Sequence, residues 1–485
     1  MTRIIDQETK LKQHLPESPR HVHLMGICGT GMSALAGLFH ESGCTVTGSD
    51  HGVYPPISEF LSRLGISVKE VYTPENLALR PDVVVVGNVI RRDNPEAVYL
   101  EGSGIPFTSM PVALRTYFMK GKRRLVVAGT HGKTTVTSMI AWILREANLD
   151  PGFMIGGIPL NFRTNYWLGT GDLFVVEGDE YDTAYFDKVP KFLHYAPDVA
   201  VITSCEFDHA DIYRSLAQIQ DQFRALTHLI PPRGTLIAWT GHPNVLQIAE
   251  QFDGRLLTYG LGSEFHWSVR QMLMAPDGTH IEVTRAGHLV ATGALPLFGV
   301  HNISNALAAI AVCAEVGVDP QNAVNALARF QGVRRRQEVL GEQGGILVID
   351  DFAHHPTAVG VTCAAVRSRF PARRLVAVFE PRTNTSKRSI FQEQYVDAFL
   401  AVDVIVLREA RDVELIPVAQ RFSSERLAND LRVRGKEAYS FSDTEGILAF
   451  LAEILRQGDV VLVMSNGSFD NVASRLLRSL GEHEQ

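Results

Sequence analysis

The stretch "VVAGTHGKTTVTSM", from Val126 to Met139, carries residue types that hold phosphate. Gly129 and Gly132 bracket a turn whose backbone amides can point at phosphate oxygens, with Thr130 and His131 between them. Lys133 can carry its ammonium to the terminal phosphates, Thr134 can offer a hydroxyl to Mg2+, and Thr135 follows on the same turn. The turn departs from the full GxxxxGK[ST] pattern, because Val127 stands where the first glycine belongs. An ordinary strand-to-helix turn with a solvated lysine is the plain alternative. The apolar run before it and the helical run after it favour nucleotide binding.

A transferring phosphoryl group needs more positive charge than one lysine supplies, so a metal is expected nearby. Glu177 follows "LFVV" and His209 follows "SCEFD", each at a strand end, where both could reach the crevice of Thr134. Alone, the first reads as a solvated loop acid and the second as a hydrogen-bonded loop histidine; beside a phosphate loop the metal reading is the stronger. In "GVHNISNALAA", Asn302 precedes a predicted helix and Asn305 lies one turn on, and simple helix capping explains them equally well. The run Arg334 to Arg336 reads either as a solvated linker or as the source of an arginine that domain closure brings to the phosphoryl charge. In "IDDFAHHP" the adjacent histidines do not face one way, which favours positioning roles over metal binding.

Near the N-terminus, "GICGTGM" puts Cys28 where the dinucleotide fingerprint GxGxxG wants its second glycine, while Asp50 ends the next strand at the spacing of a ribose-binding acid. A generic nucleotide-diphosphate site tolerates this cysteine better than an NAD site does. An NAD(P)-dependent oxidoreductase is therefore the runner-up from another enzyme class, and a non-catalytic nucleotide switch is a third reading. Asn88 closes the apolar run "DVVVVGN" in the same way.

The elements that must position these residues are α/β in pattern. A chain of 485 residues exceeds one hydrophobic core and divides into about three domains. The first holds a βαβ unit around "GICGTGM". The second begins near Lys122 with the phosphate loop and carries an antiparallel β insert between about Gly234 and Gly299. The third alternates strands ("GILVIDDFAH", "RLVAVFEP", "DVIVLREA", "DVVLVMSN") with helices. Apolar residues make up 45% and charged ones 20%, so no long segment lacks the means to fold. A net charge of -7 gives no footprint for nucleic acid. Five cysteines without a CxxC pair predict reduced thiols and no zinc knuckle. The polar start and the absence of a run of about 18 apolar residues predict a cytoplasmic protein with no membrane partner.

The words "GTHGKTT", "EGDEYD", "EFDHAD", "GVHNISNA", "RRRQE" and "DDFAHHP" stand in one order over most of the chain, and that set resembles the Mur ligase family, the ATP-dependent amide-forming enzymes of peptidoglycan assembly. The resemblance implies an N-terminal Rossmann-like domain binding the UDP-sugar (residues 21–120, after a lead over 1–20), a central P-loop ATPase domain (121–332) and a C-terminal Rossmann-like domain binding the peptide (333–485). It implies ATP and Mg2+. Flanking words such as "VYPPISEFLSRLGI", "PGFMIGGIPLNF" and "VMSNGSFDN" look like the members that join a murein tripeptide to UDP-N-acetylmuramate in cell-wall recycling. Members that attach L-alanine would show glycine in place of Cys28 and serine in place of Tyr181. Departures from the tripeptide pattern are Gly178 where alanine is usual, Gly31 and Ser33 in the first loop, and a longer lead.

Carried over residue by residue, the resemblance gives Lys133, His209 and Arg336 catalytic roles. Gly129, Thr130, Gly132, Lys133, Thr134, Thr135, Asn302, Arg336 and Asp351 would hold the nucleotide, and Thr134, Glu177 and His209 the metal. Gly29, Thr30, Gly31, Asp50 and Asn88 are expected at the UDP end, His131 and Asn305 on the substrate side, and Arg382, Asn384 and Thr385 around the peptide. Several Mur ligases carry a carbamylated lysine after the histidine of "DH"; this chain has no lysine between Lys191 and Lys387, so no such modification is expected.

Overall fold

The computed structural model describes residues 15–54, 57–275 and 277–482. Most of the expected lead, Pro55 and Pro56 of "VYPPISEF", Pro276 of the turn "PDG" and the last three residues lie outside the described residues.

Three large sheets carry the chain, beside a two-stranded antiparallel ribbon of Asp182–Ala184 and Asp187–Pro190. The first has five parallel strands in the spatial order Val68–Lys69, Thr45–Ser49, His21–Met25, Val83–Val86, Phe107–Ser109. Its central valine run is wholly buried, as expected for a parallel strand covered on both faces. Strand order reverses between His21–Met25 and Val83–Val86, so the loops after these two strands flank one crevice.

The central sheet has ten strands: His288–Leu295, Gly278–Arg285, Trp267–Ala275, Arg255–Gly260, Thr235–Ala238, Val199–Ile202, Arg123–Ala128, Leu173–Gly178, Gly152–Met154, Tyr166–Trp167. Arg123–Ala128 sits between Val199–Ile202 and Leu173–Gly178, and Ala128 is level with both Ile202 and Gly178. Three loops therefore leave the sheet side by side. The antiparallel part begins only at Trp267: Thr235–Ala238 and Arg255–Gly260 are parallel strands that prolong the sheet, contrary to the expectation of an insert starting near Gly234. The shared sheet edge accounts for this, since a parallel neighbour was already in place to receive them.

The third sheet runs Glu338–Gln343, Ile346–Asp351, Val460–Met464, Leu375–Phe379, Val404–Arg408, Glu437–Phe441, parallel except for its first, edge strand. The first and central domains share one continuous buried cluster, where Tyr166 lies so close to Gly37 that a Cβ there would fall 2.2 Å from its ring. The third domain keeps its own cores on the two faces of its sheet and meets the central domain through side chains and through backbone contacts such as Arg334 N to Ile158 O. No helix among the described residues is long and apolar enough to cross a membrane.

Candidate active site

Close neighbours define the shape of the phosphate loop. The Gly129 backbone is at φ +136°, and a Cβ would lie 2.1 Å from Thr203 Oγ1; at Gly132, φ is +82° and a Cβ would meet Asn305 Oδ1 at 2.6 Å. Only glycine fits at either place. Thr130 donates its backbone amide to Ser204 O (3.2 Å), and His131 N donates to Ser204 Oγ (2.9 Å), so the turn rests on the loop leaving Val199–Ile202. Lys133 opens the helix Lys133–Glu146 and donates back to Gly129 O at 2.7 Å. Thr134 is buried and Thr135 half-buried on its first turn.

Two carboxylates from "EGDEYD" divide the work. Thr134 Oγ1 donates to Glu177 Oε1 (2.9 Å), and Gly156 N donates to Glu177 Oε2 (2.8 Å). Burial pushes the Glu177 carboxyl up, opposed by Lys133, the Gly156 amide, Arg336 and Thr134. Glu180, which sequence reasoning did not single out, is 3% exposed and pairs with Lys133 Nζ at 2.8 Å and His209 Nε2 at 3.2 Å. Burial alone would lower the Lys133 ammonium, yet Glu180, Asp179 and Glu177 outweigh it and hold the pKa above its usual value. His209 follows the same logic: burial lowers it and the Glu180 hydrogen bond and charge prevail, so it is raised. Its backbone is left-handed (φ 54°), an uncommon conformation that histidine adopts more readily than most side chains. Thus Thr134 and Glu177 come together as predicted, whereas His209 turns its Nε2 to Glu180. The signal for Glu180 was present: a lysine packed against the loop needs a counter-charge, and Glu180 lies three residues beyond Glu177.

The helix Val300–Glu315 begins before both asparagines, and its cap residue is Gly299, so the capping explanation for Asn302 and Asn305 fails. Asn302 Nδ2 instead donates to Phe298 O, Asn305 Nδ2 reaches Asn302 Oδ1 at 3.4 Å, and Asn305 Oδ1 packs on Gly132.

The arginine triplet separates into three fates. Arg334 is exposed. Arg335 pairs with Asp350 at 3.2 Å. Arg336 Nη2 donates to Thr134 Oγ1 at 3.3 Å, with its guanidinium 4.6 Å from the Phe352 ring centre. Left-handed backbones at Arg335 and Gln337 make the tight turn that aims Arg336 inward. Asp351 secures that turn, accepting from Gln337 N and Ala353 N at 2.7 Å each. Beyond Leu375–Phe379, Asn384 Nδ2 donates to Asp211 Oδ2 (2.9 Å) and Thr385 Oγ1 accepts from Ala210 N (3.1 Å), which docks this loop on the one bearing His209. Arg382 lies against Gly467 with its side chain 47% exposed and one guanidinium nitrogen 4.0 Å from the Glu380 carboxylate.

In the first domain Gly29 and Thr30 are exposed and Gly31 half-buried at the start of the helix Thr30–Glu41, with exposed Asn88 on the other side of the crevice. Asp50 is already engaged: Cys28 N and Gly52 N donate to its two oxygens at 2.8 and 3.1 Å. It braces the loop, and burial with Asp50 pushes the Cys28 thiol up to about 11.

A phosphate loop, a buried hydroxyl–carboxylate pair and an arginine supplied from the next domain define a nucleotide-dependent enzyme that works between its domains. Family profiles state which: the Mur ligase family catalytic domain matches residues 21–121, the Mur ligase middle domain 127–313, and the Mur ligase glutamate ligase domain 335–467. The chain belongs to the Mur ligase family, and is an ATP-dependent, ADP-forming ligase. It is 37% identical to the UDP-N-acetylmuramate–L-alanyl-gamma-D-glutamyl-meso-2,6-diaminoheptandioate ligase of Escherichia coli K12, over 95% of this chain and 98% of that one. It is 35% identical to the UDP-N-acetylmuramate–L-alanine ligase of Burkholderia cenocepacia J2315, over 95% and 98%. The crystal structure of a murein peptide ligase from Psychrobacter arcticus superposes with a TM-score of 0.71 at 34% identity, covering 95% of this chain and 99% of that one.

Proposed function

We propose that this protein joins the lactyl carboxylate of UDP-N-acetylmuramate to the α-amine of L-alanyl-γ-D-glutamyl-meso-diaminopimelate, with ATP and Mg2+, in peptidoglycan recycling. The observation that carries the reading is the full-length identity to the Escherichia coli enzyme.

A carboxylate is a poor electrophile; phosphoryl transfer from ATP converts it to an acyl phosphate, which the amine opens as phosphate leaves and the amine's proton departs. The residues are suited to that task. Lys133 is held charged by three carboxylates, ready to meet the terminal phosphates. Thr134 Oγ1 and Glu177 form a pair of hard oxygen donors of the kind Mg2+ accepts, and a divalent cation would offset the cost of burying Glu177. Mg2+ held there would neutralise charge on the transferring group. Arg336, poised beside Thr134, would stabilise the same charge from the third domain. Gly29, Thr30 and Gly31 at a helix start suit the UDP diphosphate, with Asn88 across the crevice. Arg382 suits a peptide carboxylate, with Asn384 and Thr385 holding its loop against the His209 loop. The docked third domain would exclude water, which would otherwise hydrolyse the acyl phosphate.

The 35% identity to an L-alanine ligase sustains one alternative amine. Phosphate release coupled to product mass separates them. With ATP, Mg2+ and UDP-N-acetylmuramate, the tripeptide should give an adduct and L-alanine none; an adduct with L-alanine alone would replace the tripeptide reading.

A further inference from the structure

Where the central and third domains meet, two histidines converge on one carboxylate. Glu206 Oε2 lies 3.1 Å from His131 Nε2 and 3.3 Å from His355 Nδ1, and these three atoms are all within 4.8 Å of one another. Among the described residues this is the one such group of three histidine, cysteine or acidic ligand atoms. It is assembled from the phosphate loop, the loop leaving Val199–Ile202, and the start of the helix Pro356–Arg369.

The hydrogen bonds assign the tautomer of His355. Its Nε2 faces the Phe207 carbonyl at 3.3 Å and so bears the proton, while Nδ1 accepts a long contact from Thr357 N (3.3 Å). Nδ1 also lies 3.3 Å from a carboxylate oxygen to which it has no proton to give, in a site where His355 is 6% exposed, and an ion bound there would take over the lone pair now shared with Thr357 N. A cation between them reverses the sign of that contact. An imidazole whose distal N–H donates to a backbone carbonyl is the usual outer support of a metal-bound histidine. The other oxygen of Glu206 is oriented from outside: His242 Nε2 lies 3.4 Å from Oε1, and with His242 Nδ1 buried and unpartnered the proton belongs on Nε2. Thr357 Oγ1 also donates to Oε2 at 2.7 Å, leaving the second lone pair of that oxygen.

The two edges that meet at Glu206 have the length of those in a coordination polyhedron. Bonds of about 2.0–2.1 Å in a tetrahedral site imply ligand-to-ligand edges of about 3.3–3.4 Å, close to the 3.1 and 3.3 Å found. A cavity of about 310 Å³, lined by Glu206, His242, Asn244 and His355, adjoins the group and leaves room for a fourth, exchangeable ligand. We propose that His131 Nε2, Glu206 Oε2 and His355 Nδ1 form a transition-metal site of the Zn2+ class that staples the phosphate loop to the third domain. Two imidazoles with one carboxylate suit Zn2+ or Co2+ and not the harder Mg2+. The site uses none of the Thr134–Glu177 oxygens, and it stands or falls independently of the amine substrate. Because His355 comes from the third domain, the ion is fully ligated only when the two domains meet.

Cobalt reports on the site directly. Chelator-stripped full-length protein in excess Mg2+ should take up one Co2+ with the intense visible absorption of a four-coordinate ion, and one equivalent of Zn2+ should abolish the band. Glu206→Gln and His355→Gln should each weaken Co2+ by more than about tenfold, the scale on which even outer partners of metal ligands act, while Glu177→Gln leaves the affinity unchanged. Absence of the band, or its loss in Glu177→Gln with retention in Glu206→Gln, overturns the proposal. Should either seam variant fail to fold, X-ray absorption of the Zn2+-loaded wild type decides. Scattering from two imidazoles at about 2.0–2.1 Å supports the site, and a zinc shell without imidazole rejects it.

Discussion

Arg336 is the residue that ties the third domain to the hydroxyl of Thr134. Three consecutive arginines are indistinguishable by composition, and only the turn set by Arg335 and Gln337 decides that the third reaches Thr134. Arg336→Ala should lower kcat by about 10³-fold, the lower end of what an arginine at a transferring phosphoryl group contributes, with little change in Tm; steady-state kinetics and a melt check both. Its neighbour Asp350 makes a pH prediction. Burial pushes its carboxyl from 3.8 up to about 6, with Asp351 and Glu338 adding and Arg335 opposing. A folded-state value above the unfolded one means that this group's contribution is full below about pH 4 and is lost as pH rises through about 6, by up to about 3 kcal/mol. Asp350→Asn imitates the protonated acid, so its stability should fall less than the wild type's between pH 4 and 7 in parallel denaturant titrations. At this scale the sequence exposed the phosphate-loop residues, because their chemistry depends on local spacing. Glu206 stayed hidden, because it acquires meaning from His131 and His355 far along the chain, whereas Glu180 was open to a search for the counter-charge of Lys133.

Elements were legible wherever burial writes an unbroken apolar run. "RRLVVA", "LFVVEG" and "VAVI" announced the three strands whose ends carry Lys133, Glu177 and His209, and they lie side by side. Two strands of the third sheet were not foreseen. Glu338–Gln343 and Glu437–Phe441 are its edges, where one face meets water and polar residues interrupt the pattern. The parallel strands Thr235–Ala238 and Arg255–Gly260 were mistaken for antiparallel ones because direction is set by neighbours and leaves no mark on a short run. The phosphate loop gives the sharpest element-level test. Gly129→Ala must accommodate a methyl 2.1 Å from Thr203 Oγ1 at φ +136°, and should weaken ATP binding by more than tenfold and lower the Tm, read by calorimetry and a thermal melt. Unchanged binding would mean that the loop adopts another shape when it meets nucleotide.

Across the whole molecule, the groups proposed to serve the reaction come from separate domains: Lys133 and Glu177 from the centre, Arg336 and Arg382 from the third, Gly29 to Gly31 from the first. Their order along the chain was visible in six short words, but their meeting was not, since Arg336–Thr134 and Asn384–Asp211 join residues more than 170 positions apart. The chain also lacks any lysine between Lys191 and Lys387 to carry a carbamate after His209. Turnover in CO2-depleted buffer should therefore equal that with added bicarbonate; strong rescue would show a modified lysine reaching the site from elsewhere. The central claim is that these domains together activate a carboxylate by phosphorylation and pass it to an amine. Its most direct test is UDP-N-acetylmuramate labelled with 18O in the lactyl carboxylate, turned over with ATP, Mg2+ and the tripeptide, with the released phosphate read by mass. Each phosphate should carry one 18O atom and form in step with the amide product; unlabelled phosphate accompanying that product would rule out an acyl phosphate.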